Sequence, residues 1–560
     1  MSSTPTGQDD ETSAPGGRGG KPAPRAAGAA GPSRAATPAA IAARYAPPVA
    51  AAAAMTAAGL WGLTRDSAMG NDEVVSRWAA LLSLRQLAHV LRHVDAVHGL
   101  YYLLLHGWMA VGTSPTVMRI PSVICMAAAA ALLAILGRRL TGSGWAGFFS
   151  GLIMALMPSI TYYAQTARSY ALVFACVLAA TLALLHAMAA EQAGAPRPQL
   201  LRRWLVYGAL ITLAGYLNEL SLLVLAAHAV TVLLARYGRR TVLHWAVASA
   251  AAAVLVAPLA ALSSRQRAAL GPIPRPGLRD LLVLYHNYFG ETVAAPALLA
   301  ACAVIALLWP PGGRRRLAGD AAQAGDAAQA GAGPGPAWWR GGGVSLPSVA
   351  APLLVVPAAL LLLESVVGPH LYVDRYVLYG EAGAALLAGG GMYRLGQWLG
   401  DRAGRRTLVW VPGVTVCVCA LLLQLAPLQR VRTPGSRLFN FGGPAFYIGA
   451  HARQGDGLLF FSSFFRKARL GYPSQYSKTA DFAMAVSPAV ADPFRGIDKP
   501  FTAVRPLMLS HRRIWVVGLR PSAKLPPGPL REESMVLGHD FTRIAFRGYR
   551  NVWVTLWRRR

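Results

Sequence analysis

Charge is scarce in this chain. Asp, Glu, Lys and Arg make up 14% of its 560 residues, and only 24 of them are acids. A soluble domain carries about a quarter charged residues, so a wholly water-facing exterior is excluded. Cysteine is scarcer still. The five, Cys125, Cys176, Cys302, Cys417 and Cys419, all lie in apolar stretches. That pattern excludes a disulfide framework, and no Cys/His spacing suits zinc. No basic–aromatic motif argues for DNA or RNA. The basic residues of the first 38 positions do not adjoin a short apolar region with a cleavage site, so no cleavable signal peptide is expected there.

Apolar residues are abundant, at 54%. A spanning helix needs about 20 of them in succession. Such stretches occur near 43–63, 119–137, 144–163, 169–190, 203–218, 220–236, 243–263, 293–310, 344–367, 375–394 and 407–427. The expectation is therefore a mainly α, polytopic membrane protein of about eleven spans. Arginine placement orients it. With the N-terminus inside, the clusters at 138–139, 202–203, 236–240, 314–316 and 402–406 all fall in the cytoplasm, as the positive-inside rule asks. Asn218-Glu219 then breaks one long apolar run into two short helices, and the C-terminus falls outside.

The domain reading follows. Residues 1–38, rich in Pro, Gly, Ala, Ser and Thr, form a disordered cytoplasmic tail. Residues 39–428 form the membrane domain. Within it, 64–118 is one large external loop with surface helices over 74–92 and 98–112. The polar stretch 264–292 is a second external loop, and 311–343, with a directly repeated Ala-Gly-Asp-Ala-Ala-Gln, is low-complexity cytoplasmic linker. From 429 to 560 short β-rich runs at 457–461, 514–519 and 552–557 mark a small α/β extracytoplasmic domain. It holds 22 Lys/Arg against 7 Asp/Glu, a net +15. Such a surface favours anionic lipid or polymer, or is a solvated face that only caps the fold.

Against this background the pair Asp72-Glu73, just past the first span, stands out. Carboxylates near lipid are costly unless they work. Val94–Tyr102, Arg119-Ile120-Pro121-Ser122, Ala164–Tyr170 and Tyr372–Tyr376 follow it in order. Each also has a plain local reading. Asp72 or Glu73 can cap a helix starting near Val74, Asp95 can pair with Arg92, Arg168 can snorkel to the interface, and Arg375 can flank an aromatic belt.

Together these segments resemble the active-site side of a GT-C membrane glycosyltransferase. They are similar to the family 39 protein-mannosyltransferases and the aminoarabinose-transferase-like families, of the actinobacterial mannosyltransferase type. The resemblance is strongest over 70–175. It implies transfer of a sugar, mannose first and arabinose or another pentose as alternatives, from a polyprenyl-phosphate donor. The acceptor, a protein, glycolipid or wall polymer, lies outside the cytoplasm, and transfer inverts the anomeric carbon. It implies Asp72 as catalytic base, with Glu73 as second choice or helper. It implies substrate contacts from Asp95, His98, Gln165, Arg168, Tyr170, His286, Arg375 and Tyr376, with Arg168 gripping the phosphate bidentately. Relatives often carry Glu where this chain has Thr166. That departure puts a divalent metal, Mg or Mn, in doubt, and no metal ligands are assigned. Two other classes stay open: a transporter or flippase of lipid-linked sugars, and a non-catalytic assembly protein. The first calls for inverted repeats and mid-span charges, which the sequence does not show. The second would be marked by loss of Asp72, which is present.

Overall fold

The computed structural model describes residues 38–65, 68–266, 273–308, 343–491, 495–519 and 528–560, with side chains from 45 onward. The tail and the repeat-bearing linker lie outside them, save Pro38 and Gly343. The chain divides into residues 1–42 and one compact unit, 43–560. That second unit holds the helical bundle and the C-terminal sheet.

The first long helix is α1 (Pro38–Leu60). Three short helices follow, α2 (Asn71–Leu81), α3 (Leu84–His93) and α4 (Gly99–Trp108), then α5 (Pro115–Thr141). The surface helix expected over 74–92 is thus two. Ser83 breaks it, because its hydroxyl caps α3 by accepting from the Gln86 amide while the Gln86 side chain accepts from the Ser83 amide. The stretch expected as one span over 144–163 is bent by 72° between α6 (Gly144–Leu156) and α7 (Pro158–Ala164). Pro158 opens α7, where a missing N–H costs nothing. Then come α8 (Tyr170–Gln192) and further helices at Arg197–Leu217, Val224–Ala235 and Arg239–Arg265, the second of them short. The chain breaks at Asn218, whose side chain accepts from the Leu220 amide. The loop expected over 264–292 instead contains a helix, Leu278–Phe289, whose apolar face the spacing 278, 281, 282, 285 supplies.

Leu346–Val367, Glu381–Arg402 and Val411–Arg430 complete the bundle. Among the described residues five helices are individually long and apolar enough to cross a membrane, or up to seven if each sharply bent pair counts as one span. Arg239–Arg265 buries only 17% of its apolar window, leaving Leu243, Val247, Val254 and Leu255 facing outward as lipid would require. Where helices meet, small residues let backbones close in. A Cβ at Gly147 would collide with the Ala134 carbonyl of α5, and one at Gly391 with the Cys302 carbonyl. This is a multi-pass helical membrane protein.

One mid-bundle polar network is fully satisfied. His228 Nε2 lies 3.0 Å from the Thr181 hydroxyl, and Nδ1 lies 3.1 Å from the Tyr207 hydroxyl. Trp245 donates to that tyrosine at 3.1 Å. Thr181 already donates to the Val177 carbonyl, so His228 donates through Nε2 and accepts at Nδ1, and pins three helices together.

The C-terminal region carries a five-stranded sheet of order β2-β1-β5-β7-β6. Its strands are β1 (Asp456–Phe460), β2 (Thr479–Asp481), β5 (Arg513–Gly518), β6 (Phe541–Tyr549) and β7 (Val552–Arg559), and β3 (Met484–Val486) pairs separately with β4 (Ile497–Asp498). The β2-β1-β5 part is parallel, and β7 and β6 add antiparallel. All five β1 residues are buried, four of them from the β-rich run expected over 457–461.

Candidate active site

The site is built around the first turn of α2. Glu73 stands at the third position of that helix and reaches back to accept from the Gly70 amide at 3.3 Å. Arg119 of α5 grips it with both arms, Nε to Oε1 at 2.8 Å and Nη2 to Oε2 at 2.9 Å. The Ala167 amide donates to Oε1 at 3.0 Å, and Arg437 lies 3.8 Å from Oε2. Glu73 is 1% exposed. Burial pushes its pKa up, but Arg119 and Arg437 outweigh this and hold it near about 2. Both oxygens are fully engaged. Glu73 ties α2 to α5, to the turn after α7 and to the segment after the last span, the arrangement that suits the helper of its two expected roles.

Asp72, one residue earlier, points elsewhere, since successive helix positions are about 100° apart. Its side chain is 28% exposed. Oδ1 accepts from Asn71 Nδ2 at 3.2 Å, and Oδ2 lies 3.7 Å from Arg375 Nε. Burial raises its pKa, while Arg375, Arg168 and His98 lower it more, to about 2.

Two arginines face this carboxylate. Arg168 is buried, with Nη1 donating to the Tyr102 hydroxyl at 2.6 Å and to Ser76 at 3.3 Å, and Nη2 to Asp95 at 3.2 Å. Nη1 is thus spent on Tyr102 and Ser76, while Nε and the second N–H of Nη2 make no hydrogen bond among the described residues, so one edge of the guanidinium stays uncommitted. Asp95 also accepts a short hydrogen bond from Tyr102, so it holds Arg168 in place. The left-handed backbone at Asp95 (φ 58°) turns the chain to bring it there. Its pKa is raised by burial but pulled below the usual carboxylate range by Arg168 and His98.

Arg375 is freer. Its Nε donates to the Tyr170 hydroxyl at 2.8 Å, its guanidinium stacks against the Tyr376 ring at 5.6 Å, and its side chain is 32% exposed. Its two terminal nitrogens make no hydrogen bond among the described residues, which leaves the planar fork that suits a phosphate. His98 is buried beside Tyr170, 3.2 Å from the Ser169 hydroxyl. Burial and Arg168 drive its pKa down to about 3, so it is neutral at pH 7.

Two expected contacts are not brought to Asp72. Gln165 spends its amide on the Gly59 and Trp61 carbonyls, at 2.8 and 2.9 Å, and so ties the end of α1. His286 turns Nδ1 to the Gly290 carbonyl and closes its own helix. Its neighbour Asn287 instead donates to Asp374 at 2.8 Å, beside Arg375.

Three contributors were not anticipated. Tyr102 bridges Asp95 and Arg168. Arg437, 1% exposed, donates to Thr166 Oγ1 and to the Gln165 carbonyl, each at 2.8 Å. Lys467 reaches Asn71 Oδ1 at 2.8 Å. The signal for the last is visible in retrospect. Phe464-Phe465-Arg466-Lys467 embeds basic residues in an aromatic run, unlike a solvated face.

A divalent cation needs several converging oxygens. Here Asp95 is committed to Arg168 and Tyr102. The Thr166 hydroxyl donates to Tyr162 and accepts from Arg437. The groups nearest Asp72, namely Arg375, Arg168 and the NH2 of Asn71, are donors rather than metal ligands. Among the described residues no three of His, Cys, Asp and Glu gather. The donor set does not fit magnesium or manganese.

Comparisons agree with this architecture. Residues 97–262 match the family model described as dolichyl-phosphate-mannose-protein mannosyltransferase. No curated protein matches the sequence. Among solved structures, ArnT from Cupriavidus metallidurans in the apo state superposes with a TM-score of 0.55 at 11% identity, covering 89% of this chain and 95% of that one. The same protein bound to undecaprenyl phosphate gives 0.54 at 11% identity, covering 90% and 96%. The chain has the GT-C fold, and it resembles the membrane glycosyltransferases of that superfamily.

Proposed function

We propose that this protein transfers a sugar, mannose first among the alternatives, from a polyprenyl-phosphate carrier to an acceptor hydroxyl on the extracytoplasmic side. The observation that carries this reading is Asp72. It is a partly exposed carboxylate 3.7 Å from an arginine with a free fork, where four separate segments of the chain converge. The family match over 97–262 and the likeness to a protein crystallised with undecaprenyl phosphate support the donor class.

In the reaction the acceptor oxygen attacks the anomeric carbon from the face opposite the phosphate. The new C–O bond forms as the sugar–phosphate C–O bond breaks, which inverts the centre. Asp72 takes the hydroxyl proton, and the carrier leaves as a phosphate monoester. A carboxylate with a pKa near about 2 is a weak base but stays ionised. It accepts the proton late, once the acceptor oxygen has become acidic by bonding to carbon. Arg375 meets the charge growing on the leaving phosphate, and Arg168, locked by Asp95 and Tyr102, adds a fixed positive field. No step passes through a metal. The acceptor class stays a protein, glycolipid or wall polymer, and the α/β region from 429 onward faces it.

The test is sugar transfer in membranes supplied with radiolabelled polyprenyl-phosphate-mannose, native against Asp72→Asn. Transfer that collapses in the folded variant is the expected result. Equal transfer by both would remove Asp72 from the mechanism, and no transfer by the native chain from any polyprenyl-linked sugar would overturn the reading.

A further inference from the structure

Lys467 opens the short helix Lys467–Gly471 in the C-terminal region, 396 residues along the chain from the amide it touches. Its side chain runs into the site and is buried, at 8% exposure for the residue. The ammonium lies 2.8 Å from Asn71 Oδ1 and 4.5 Å from the centre of the Phe464 ring. No carboxylate makes an ion pair with it among the described residues.

The chemistry of the two side chains fixes their orientation. An ammonium only donates, and an ionised carboxylate only accepts. Asn71 sits between them. Its oxygen must face Lys467, and its NH2 must face Asp72, as the 3.2 Å contact to Oδ1 has it. The flipped amide would set N–H groups against the ammonium and an oxygen against the carboxylate. Asp72 alone would also orient the amide, but only while ionised. The lysine keeps the amide in place whatever the state of Asp72. With Oδ1 receiving that donation, Oδ2 is the oxygen left toward Arg375.

We propose that Lys467 is a positioning residue for the transfer reaction. Through Asn71 it holds Asp72 ionised and turned so that Oδ2 meets the acceptor proton. The C-terminal region thereby completes the site rather than only covering it. This rests on the function proposed above. The groups that face the lysine are Asp72 and Asp95, which favour its charge, and Arg495 and Arg168, which oppose it. Burial outweighs the acids and draws its pKa down to about 8. Above that pH the side chain is a neutral amine, and the amide is oriented by Asp72 alone.

The test uses the full chain in lipid, with Lys467→Met, Lys467→Arg and Asn71→Leu. The expected kcat loss in Lys467→Met is about ten- to a hundredfold, the scale of a small misplacement at a reacting centre, with the donor KM near native. Its acid limb moves to higher pH, because Asp72 loses a donor held in place and a nearby positive charge. Lys467→Arg restores most of kcat, since its guanidinium also only donates to the Asn71 oxygen. Lys467→Met combined with Asn71→Leu is no worse than either alone, since both cut one chain of contacts. A risen donor KM with native kcat would make the lysine a phosphate ligand and overturn the proposal. A kcat loss additive with Asn71→Leu, with no shift of the acid limb, would overturn it as well. A substrate-free readout separates this from the function itself. The Asp72 carboxyl band, assigned by its absence in Asp72→Asn, is titrated by infrared difference spectroscopy. A higher midpoint in Lys467→Met supports the link even if the native chain transfers nothing, and an unchanged midpoint overturns it even if the native chain is active.

Discussion

The two sides of the α2 helix start carry the same chemistry to opposite ends. On one side Glu73 is 1% exposed and meets Arg119, Arg437 and two backbone amides. On the other, Asp72 is 28% exposed, with one oxygen beyond hydrogen-bond reach of its arginine. Both carboxyls are held near about 2. A low pKa therefore does not separate a working acid from a structural one. Spare hydrogen-bonding capacity does. Glu73 has none left for a substrate, and Asp72 and Arg375 together keep an open oxygen and an open fork.

The largest expected effect falls on the open side. Asp72→Asn should lower kcat by about 10²–10⁴, the usual worth of a positioned general base, with the thermal midpoint near native. A midpoint that falls along with the activity would make Asp72 a second anchor and erase the contrast. Glu73→Gln should do the reverse in kind. Leaving Arg119 buried beside a neutral partner costs about 3–5 kcal/mol, read as unfolding in detergent, and activity should fall only as the folded fraction falls. Arg375→Ala should cost about 10²–10³ in kcat, as loss of one charge-stabilising donor does. Arg375→Lys should recover only part, because a lysine has no planar fork.

How much of this contrast was legible in the sequence depends on range. The scarcity of acids and the order of Arg168, Tyr170, Arg375 and Tyr376 behind the pair pointed to residues that the fold brings together at one end of the bundle. The resemblance put Asp72 before Glu73, but why Asp72 is the one that keeps an open oxygen was not legible. It turns on which face of α2 meets Arg119, and that is settled by packing between positions 46 apart. Gln165 and His286 looked like site groups because they lie next to ones that are. Both are spent on backbone carbonyls, His286 on one four residues ahead and Gln165 on two at the end of α1. Arg437 and Lys467 lie hundreds of residues from their partners in a chain with 54 Lys and Arg, where no single basic residue is conspicuous. The bend between α6 and α7 shows the same limit, since a continuous apolar run reads as one span until Pro158 is packed.

Acid should sharpen the comparison. Glu73 has its ordinary pKa at 4.5 and its folded value near about 2, and Asp72 drops from 3.8 to about 2. Folded values below unfolded ones mean stability that is present above the unfolded pKa and is lost as pH falls through the folded one. Unfolding free energy should therefore decline from about pH 4.5 toward pH 2. The decline should be shallower in Glu73→Gln than in Asp72→Asn, since Glu73 has the wider interval. Equal slopes in the two variants would mean that Asp72 is tied into the fold as firmly as Glu73.

The smallest effect belongs to Thr166. Its hydroxyl accepts from Arg437 at 2.8 Å and donates to the Tyr162 carbonyl at 2.7 Å. Thr166→Val keeps the shape and removes both bonds. Arg437 keeps the Gln165 carbonyl, its approach to Glu73 and the face of the Tyr162 ring at 4.8 Å, so the charge is not orphaned and one N–H is. That costs about 1–3 kcal/mol in stability, and kcat/KM should stay near native because the change falls on the closed side of α2. Dependence on added magnesium or manganese should not change either, since this hydroxyl is engaged with a cation and a carbonyl. A large activity loss in Thr166→Val at unchanged stability would move the turn after α7 from the anchoring side to the working side, and the boundary between the two would then run through the turn and not along α2.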